Sequence, residues 1–265
     1  MQFNDKTIFV GGAGSSAPGW SIGKASCVVL ARLGARIVAV DRSLDAAEDA
    51  AREVRKAGGT ALPLQADVAD ASAMAGAVAQ ATRKYGGIDV YIANAGIGKM
   101  GGVAETDPTD LHHIHQVNVQ SLLIGSKLII PAMLKRGGGS IVTVSSIAGI
   151  RYVGYPHLAY SVTKAAVIHF TRMLAQEYAE QGIRANTVVP GLIDTPRIQA
   201  NVARAYSESA SADAMRAARN QQVPMRRMGS AWEVANAIAF LASDGASYIT
   251  GTELVVDGGI TGKFN

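Results

Sequence analysis

The chain alternates short apolar runs with longer amphipathic stretches almost from end to end. The apolar runs are Thr7–Gly11, Ala35–Asp41, Thr60–Ala66, Ile88–Ala93, Gly139–Ser145, Arg184–Val189 and Glu253–Asp257. They are short and mostly rich in Val and Ile, as strands buried on both faces of a parallel sheet must be. Between them the apolar spacing takes a helical period over Ser21–Leu33, Leu44–Ala57, Ala71–Tyr85, Pro108–Lys135, Ala159–Gln181 and Ala231–Ser243. Gly34, Gly58, Gly86 and Gly182 stand at or just after helix ends, where a left-handed cap residue is favoured. Strands and helices in this order make βαβ units. The pattern therefore predicts an α/β fold: one domain over residues 1–265, a Rossmann-type doubly wound parallel sheet of about seven strands with helices on both faces. The stretch from Ile193 to Ser230 breaks the rhythm. It is polar, rich in Ala, Arg and Ser, and shows no strand. An insertion of that length is expected to be a lid over a site.

Composition narrows the function classes. Of 265 residues, 48% are hydrophobic and 17% charged, which excludes disorder as the general state. The net charge of +4 is scattered, with no run of five like charges, so no nucleic-acid surface is expected. The single cysteine, Cys27, excludes an intrachain disulfide and lies in an apolar helical run, as a small buried hydrophobe would. The segment MQFNDKTIFVGGAG lacks a basic stretch leading into a long apolar core. The longest apolar stretch, Leu122–Leu134, falls short of the roughly 20 residues a membrane span needs. A cytoplasmic protein with no membrane partner is expected. His112, His113 and His115 cluster in DLHHIHQVN, but no fourth ligand is evident and no metal site is expected. Arg216, Arg219, Arg226 and Arg227 flank the expected lid and read as solvated or inter-subunit groups. With no obvious fixed charge in the expected pocket, a neutral substrate is favoured.

The first candidate chemistry is a glycine-rich turn after the first strand, running Gly11-Gly12-Ala13-Gly14, then Ser15 to Trp20, then Ser21-Ile22-Gly23 into a helix. Glycines let a backbone approach a pyrophosphate closely, and the helix start offers free N–H groups and a positive dipole end. The second strand ends in Asp41. A carboxylate there can accept hydrogen bonds from ribose hydroxyls and would repel a 2′-phosphate, favouring NAD over NADP. Arg42 follows directly and is placed to stack on adenine or to meet a 2′-phosphate.

Further motifs occur in a fixed order. Asp67-Val68 follows the third strand and Asn94-Ala95-Gly96 the fourth; Asn118 lies in a helix; Ser145-Ser146 closes the fifth strand; Tyr160 and Lys164 form a YxxxK pair; Pro190-Gly191 follows the sixth strand, with Ile193 and Thr195 just beyond; Val256-Asp257-Gly258-Gly259 lies near the C-terminus. In this combination the chain resembles the classical short-chain dehydrogenase/reductase family over nearly its whole length. It departs from the family's TGxxxGxG motif. Gly11 replaces the Thr, five residues (Ser16–Trp20) are inserted, and Ser21 replaces the middle Gly. That spacing is partly similar to bacterial enoyl reductases.

Tyr160 and Lys164, four apart on a helix, share a face. A free tyrosine has a pKa of about 10, too high for a base at neutral pH. An ammonium at about 4 Å with an effective dielectric of about 20 contributes roughly 4 kcal/mol in favour of the phenolate. That can lower the pKa by up to about three. The resemblance implies the remaining roles. Tyr160 is the general acid/base, Lys164 also holds the nicotinamide ribose, and Ser146 binds the substrate oxygen. Asn118 holds a water that links Lys164 to solvent. Gly12, Gly14, Ser21, Ile22, Gly23, Asp41, Arg42, Asp67, Val68, Asn94, Ala95, Gly96, Pro190, Gly191, Ile193 and Thr195 complete the cofactor site. Ser146 is preferred to Ser145 although it precedes Tyr160 by one residue more than is usual in the family. Tyr155 and His157 are candidates to line the pocket. The expected activity is NAD-dependent interconversion of a secondary alcohol and a ketone, with a small-molecule partner and a homo-oligomer, commonly a tetramer built from the helices carrying Asn118 and Tyr160. The alternatives are an enoyl-type reductase, disfavoured because such enzymes separate Tyr and Lys more widely, and a catalytically silent cofactor-binding scaffold, disfavoured because Asn118, Ser146, Tyr160 and Lys164 are all present.

Overall fold

The computed structural model describes residues 1–196 and 212–263. Strands β1 (Thr7–Gly11), β2 (Arg36–Asp41), β3 (Thr60–Gln65), β4 (Val90–Ala93), β5 (Gly139–Val144), β6 (Ile183–Pro190) and β9 (Glu253–Val256) form one sheet in the order β3-β2-β1-β4-β5-β6-β9. Every neighbouring pair is parallel. The doubly wound sheet is thus as expected, each strand within two residues of its predicted bounds. The winding reverses between β1 and β4, which opens a crevice at their carboxyl ends.

Helices α1 (Ile22–Arg32), α2 (Leu44–Lys56), α3 (Ala71–Tyr85), α4 (Pro108–His115), α5 (Ser121–Lys135), α6 (Leu158–Tyr178), α7 (Ala212–Gln222) and α8 (Ala231–Ala242) connect the strands. Their starts are set by short polar side chains. Ser21, Ser43, Asp70, Asp107 and Ser230 each accept a first-turn backbone N–H. Gly34, Gly58, Gly86 and Gly182 all take positive φ, as cap positions do. The two largest cores among the described residues lie one on each face of the sheet. Ile8, Val10, Leu30, Ile37 and Val234 pack on one side, and Phe9, Val38, Ile92's neighbour Tyr91, Ile129 and Met133 on the other. At β1 the neighbours Ile8 and Phe9 belong to opposite cores, the period-2 alternation of a strand covered on both faces.

The structure corrects two expectations. Pro108–Lys135 is not one regular α-helix: a π-helical turn, Gln116–Gln120, separates α4 from α5. This 28-residue run is also long and apolar enough, by length and composition, to cross a membrane. Its buried residues Leu122, Ile129, Ile130 and Met133 join the core, and α5 packs against α3 and β4, as a core helix does. Finally, the segment from Ile193 to Ser230 carries strands at both ends: β7 (Ile193–Asp194) pairs in parallel with β8 (Gly229–Ser230). Two-residue strands are too short to leave a periodic signal. The middle of the expected lid, 197–211, lies outside the described residues.

Candidate active site

A cleft of about 870 Å³ runs across the carboxyl ends of the strands. Its two ends differ in chemistry.

At one end the β1–α1 turn meets the end of β2. Gly12 has φ +78, and a Cβ there would stand 2.7 Å from the Ala95 nitrogen. Gly23 is required by space alone, since a Cβ would meet the Gly12 carbonyl oxygen at 2.0 Å. The Gly14 N–H donates to Asp41 Oδ2 at 3.0 Å, and the Ser43 N–H donates to Asp41 Oδ1 at 3.1 Å. Ser21 donates from Oγ to the Gly14 carbonyl at 2.7 Å while capping α1 through Lys24 N. Asn94 Nδ2 donates to the Gly12 carbonyl at 2.7 Å, tying the end of β4 to the turn. The inserted residues fold over this corner. Trp20 packs against Trp232 of α8 with centroids 4.5 Å apart and planes inclined at 50°, and Lys24 Nζ lies 4.8 Å from the Trp20 ring while pairing with Asp49.

The other end is built around α6. Lys164 Nζ donates to the Val144 carbonyl at 2.8 Å and lies 5.6 Å from the centroid of the Tyr160 ring. Burial of Lys164 at 3% exposure keeps its ammonium next to the cleft rather than in bulk water. The two serines separate by their contacts. Ser145 is buried and donates from Oγ to the Lys164 carbonyl at 2.7 Å, whereas Ser146 is half-buried and accepts the Ala148 N–H at 3.2 Å. Asn118, on the π-helical turn, accepts the Ile97 N–H at 2.8 Å. Its Nδ2 donates to the Ile97 carbonyl and to Thr163 Oγ1, each at 2.9 Å. Its side chain thus clamps the loop after β4 to α6.

Of the residues singled out from sequence, Gly12, Gly14, Ser21, Ile22, Asp41, Arg42, Asp67, Val68, Asn94, Ala95, Gly96, Ser146, Tyr160, Lys164, Pro190, Gly191, Ile193 and Thr195 all line the cleft, as do Tyr155 and His157. Gly23 and Asn118 stand just behind its wall. The arginines divide. Arg216 pairs with Asp194 and Arg227 with Glu233, but Arg219 is 3% exposed, lines the cleft and donates from Nε to Met228 Sδ at 3.3 Å. The expectation of a solvated Arg219 fails, because a polar helix sequence conceals which face turns inward. With Lys99 and Arg219 both in the lining, the argument for a neutral substrate loses its basis. Sequence reasoning also missed Gly98 and Met100, which carry no motif.

A backbone cradle at a helix start, an acid at the end of the second strand, and a Tyr–Lys pair at the far end of one cleft suit a nucleotide cofactor with a proton-moving group beside it. They define an α/β oxidoreductase. Residues 16–261 match the family model described as "Enoyl-(Acyl carrier protein) reductase". The chain is 35% identical over 264 residues to a cyclohexanol dehydrogenase of Acinetobacter sp. (strain SE19), covering 99% of this chain and 97% of that one. A solved structure of a short-chain dehydrogenase/reductase from Burkholderia xenovorans superposes with a TM-score of 0.94 at 35% identity, covering 99% of both chains. A 7α-hydroxysteroid dehydrogenase, solved with NADH and 7-oxo glycochenodeoxycholic acid, matches with a TM-score of 0.87 at 30% identity, covering 97% of this chain and 95% of that one. The chain belongs to the classical short-chain dehydrogenase/reductase family. It is an oxidoreductase of alcohol and ketone groups that uses a nicotinamide cofactor.

Proposed function

We propose that the protein is an NAD-dependent dehydrogenase that interconverts a cyclic secondary alcohol and its ketone, with Tyr160 as the general acid/base. The observation that carries this reading is the joint placement of Tyr160, Lys164 and Ser146 at one end of a cleft whose other end holds Asp41. The ring substrate is supported by the names of two relatives, a cyclohexanol dehydrogenase and a hydroxysteroid dehydrogenase.

The cradle fits the cofactor. Gly12 and Gly23 leave no room for a Cβ, so the strand turn and helix start come close, and Ser21 and Gly14 hold that approach. Asp41 is fixed by two backbone N–H donors in an orientation suited to ribose hydroxyls. Arg42, Asp67 and Val68 would flank the adenine. Asn94 to Gly96, Pro190, Gly191, Ile193 and Thr195 would line the path to the nicotinamide. The bound cofactor supplies hydride exchange at the substrate carbon. Tyr160 takes the hydroxyl proton in the oxidative direction and returns it in the reductive one. The Lys164 ammonium favours the charged form of the phenol. Ser146 donates to the substrate oxygen and steadies its developing charge. Asn118 holds the Ile97 backbone against α6 and keeps the wall beside Lys164 in place.

Exposed Leu123 and Leu134 on α5 and Val162 and Met173 on α6 support a homotetramer built on these helices. The cytoplasm is the compartment we assign, since it supplies the cofactor. A second reading, an enoyl-type reductase, draws on the description of the matching family model and on the inserted residues after Gly14.

The test is to titrate the protein separately with NADH and NADPH, then to assay cyclohexanol with NAD and a trans-2-enoyl thioester with NADH. Tighter NADH binding and alcohol oxidation support the proposal. Tighter NADPH binding would give Arg42 the upper hand over Asp41. Turnover of the thioester alone would replace the alcohol reading with the second one.

A further inference from the structure

The Tyr160 phenol does not stand alone in the cleft. The His157 ring lies flat against it, with centroids 4.6 Å apart and planes 17° from parallel, and the Tyr155 ring lies on to His157 at 5.9 Å and 37°. His157 is itself tethered at the start of α6. It forms an isolated parallel bridge with Gly101, the Leu158 N–H donates to the Gly101 carbonyl at 2.9 Å, and the Gly101 N–H donates to the Pro156 carbonyl at 3.1 Å. Gly98 closes the arrangement from the edge. A Cβ at Gly98 would stand 2.8 Å from Tyr160 Cδ2, 2.9 Å from His157 Nε2 and 3.2 Å from Tyr160 Cβ. Gly98 does not take a positive φ, so the glycine answers a need for room rather than for an unusual backbone.

We propose that His157 is a positioning residue for the reaction: its ring face, backed by the tether to Gly101 and by the space at Gly98, fixes the plane of the Tyr160 phenol. The inference rests on the reading of Tyr160 as the proton-moving group. The physical reason is the tolerance of proton transfer. Donor and acceptor must approach to about 2.6–3.2 Å, and a displacement of about 1 Å can cost roughly a hundredfold in rate. Lys164 meets the phenol ring from another direction, at 5.6 Å from its centroid. A second contact along the ring face removes the rotation that one ammonium leaves open. The stack is made by the ring as a planar surface, so an aromatic hydrocarbon can replace the imidazole.

The test compares His157→Phe, His157→Ala and Gly98→Ala with the parent. It uses two readouts: kcat and KM for cyclohexanol with NAD, and the Cζ resonance of Tyr160 in protein carrying carbon-labelled tyrosine, identified by its loss in Tyr160→Phe. His157→Ala is expected to lower kcat about tenfold, the loss of one aromatic stack, and Gly98→Ala, whose methyl would press on both rings, to lower it as well. NADH affinity should stay unchanged, and the Tyr160 resonance should move or broaden. His157→Phe is expected to keep the parent kcat and a sharp resonance. A His157→Phe chain as impaired as His157→Ala would overturn the proposal in favour of a role for the imidazole nitrogens. An unmoved Tyr160 resonance in His157→Ala would overturn it outright. The resonance needs no substrate, so a failure of the alcohol reading itself appears separately, as absent turnover in the parent protein. Unchanged NADH binding and melting temperature in each variant exclude loss of folding as the cause.

Discussion

The Gly14 N–H donates to Asp41 Oδ2 at 3.0 Å, so the acid at the end of β2 and the glycine turn after β1 move as one unit. Asp41 therefore has two jobs in the proposed function, to meet a ribose and to hold the turn. Asp41→Ala should weaken NADH binding by about 10- to 100-fold, the worth of a hydrogen bond to a charged group. NADPH binding should fall less, because the repulsion of a 2′-phosphate goes with the carboxylate. Fluorescence titration with each cofactor measures both.

Tyr160→Phe removes one oxygen and leaves the ring stack and the helix intact. The expected loss in kcat is about a hundred- to ten-thousandfold, the span of general acid/base contributions. NADH affinity should hold. Full turnover in that variant would overturn the role proposed for Tyr160, because the proton would then be moved by another group.

Gly23→Ala tests the cradle. The added methyl would meet the Gly12 carbonyl oxygen at 2.0 Å and Asn94 Nδ2 at 2.6 Å, so backbone must shift. An overpacking cost of about 1–3 kcal/mol lowers Tm by about 2–12 °C in a chain of this length. Calorimetry gives the Tm, and cofactor titration should show weakened binding in the same protein.

Cys27 gives a prediction on pH. Burial pushes its thiol up to about 12, opposed by a backbone hydrogen bond and assisted by the Asp41 charge. The folded protein should resist thiol reagents at mildly alkaline pH and react once unfolded. The sign for stability follows from the raised value. The unfolded thiol ionises near its ordinary value of 9.0 while the folded one stays protonated, so stability is whole below that pH and is lost as pH climbs towards 12. Cys27→Ala should flatten that limb of the pH–stability curve.

The sequence carried the sheet because buried parallel strands have a simple signature: Thr7–Gly11 falls where the pattern places it, and the helix Ala71–Tyr85 does so by its helical period. The cleft lining was legible wherever a motif marks it. What escaped has no signature in residue types. The π-helical turn that carries Asn118 is a change of backbone hydrogen-bond register inside an unbroken helical run. The inward face of α7, with Arg219, is hidden because its Ala, Arg, Asn and Gln spacing defines no apolar stripe. Gly98 takes no cap and no positive φ, so only the two rings beside it explain it.

The chain has two tryptophans, and Trp20 and Trp232 pack against each other beside the glycine turn. All indole emission from the molecule therefore arises in one corner, where the inserted residues meet α8. A Trp232→Phe chain would confine that light to Trp20, next to the Ser21 that caps α1. The protein thus has a built-in optical gauge. Its signal reads the corner where the inserted residues meet α8, so the glycine turn can be followed in the unlabelled protein.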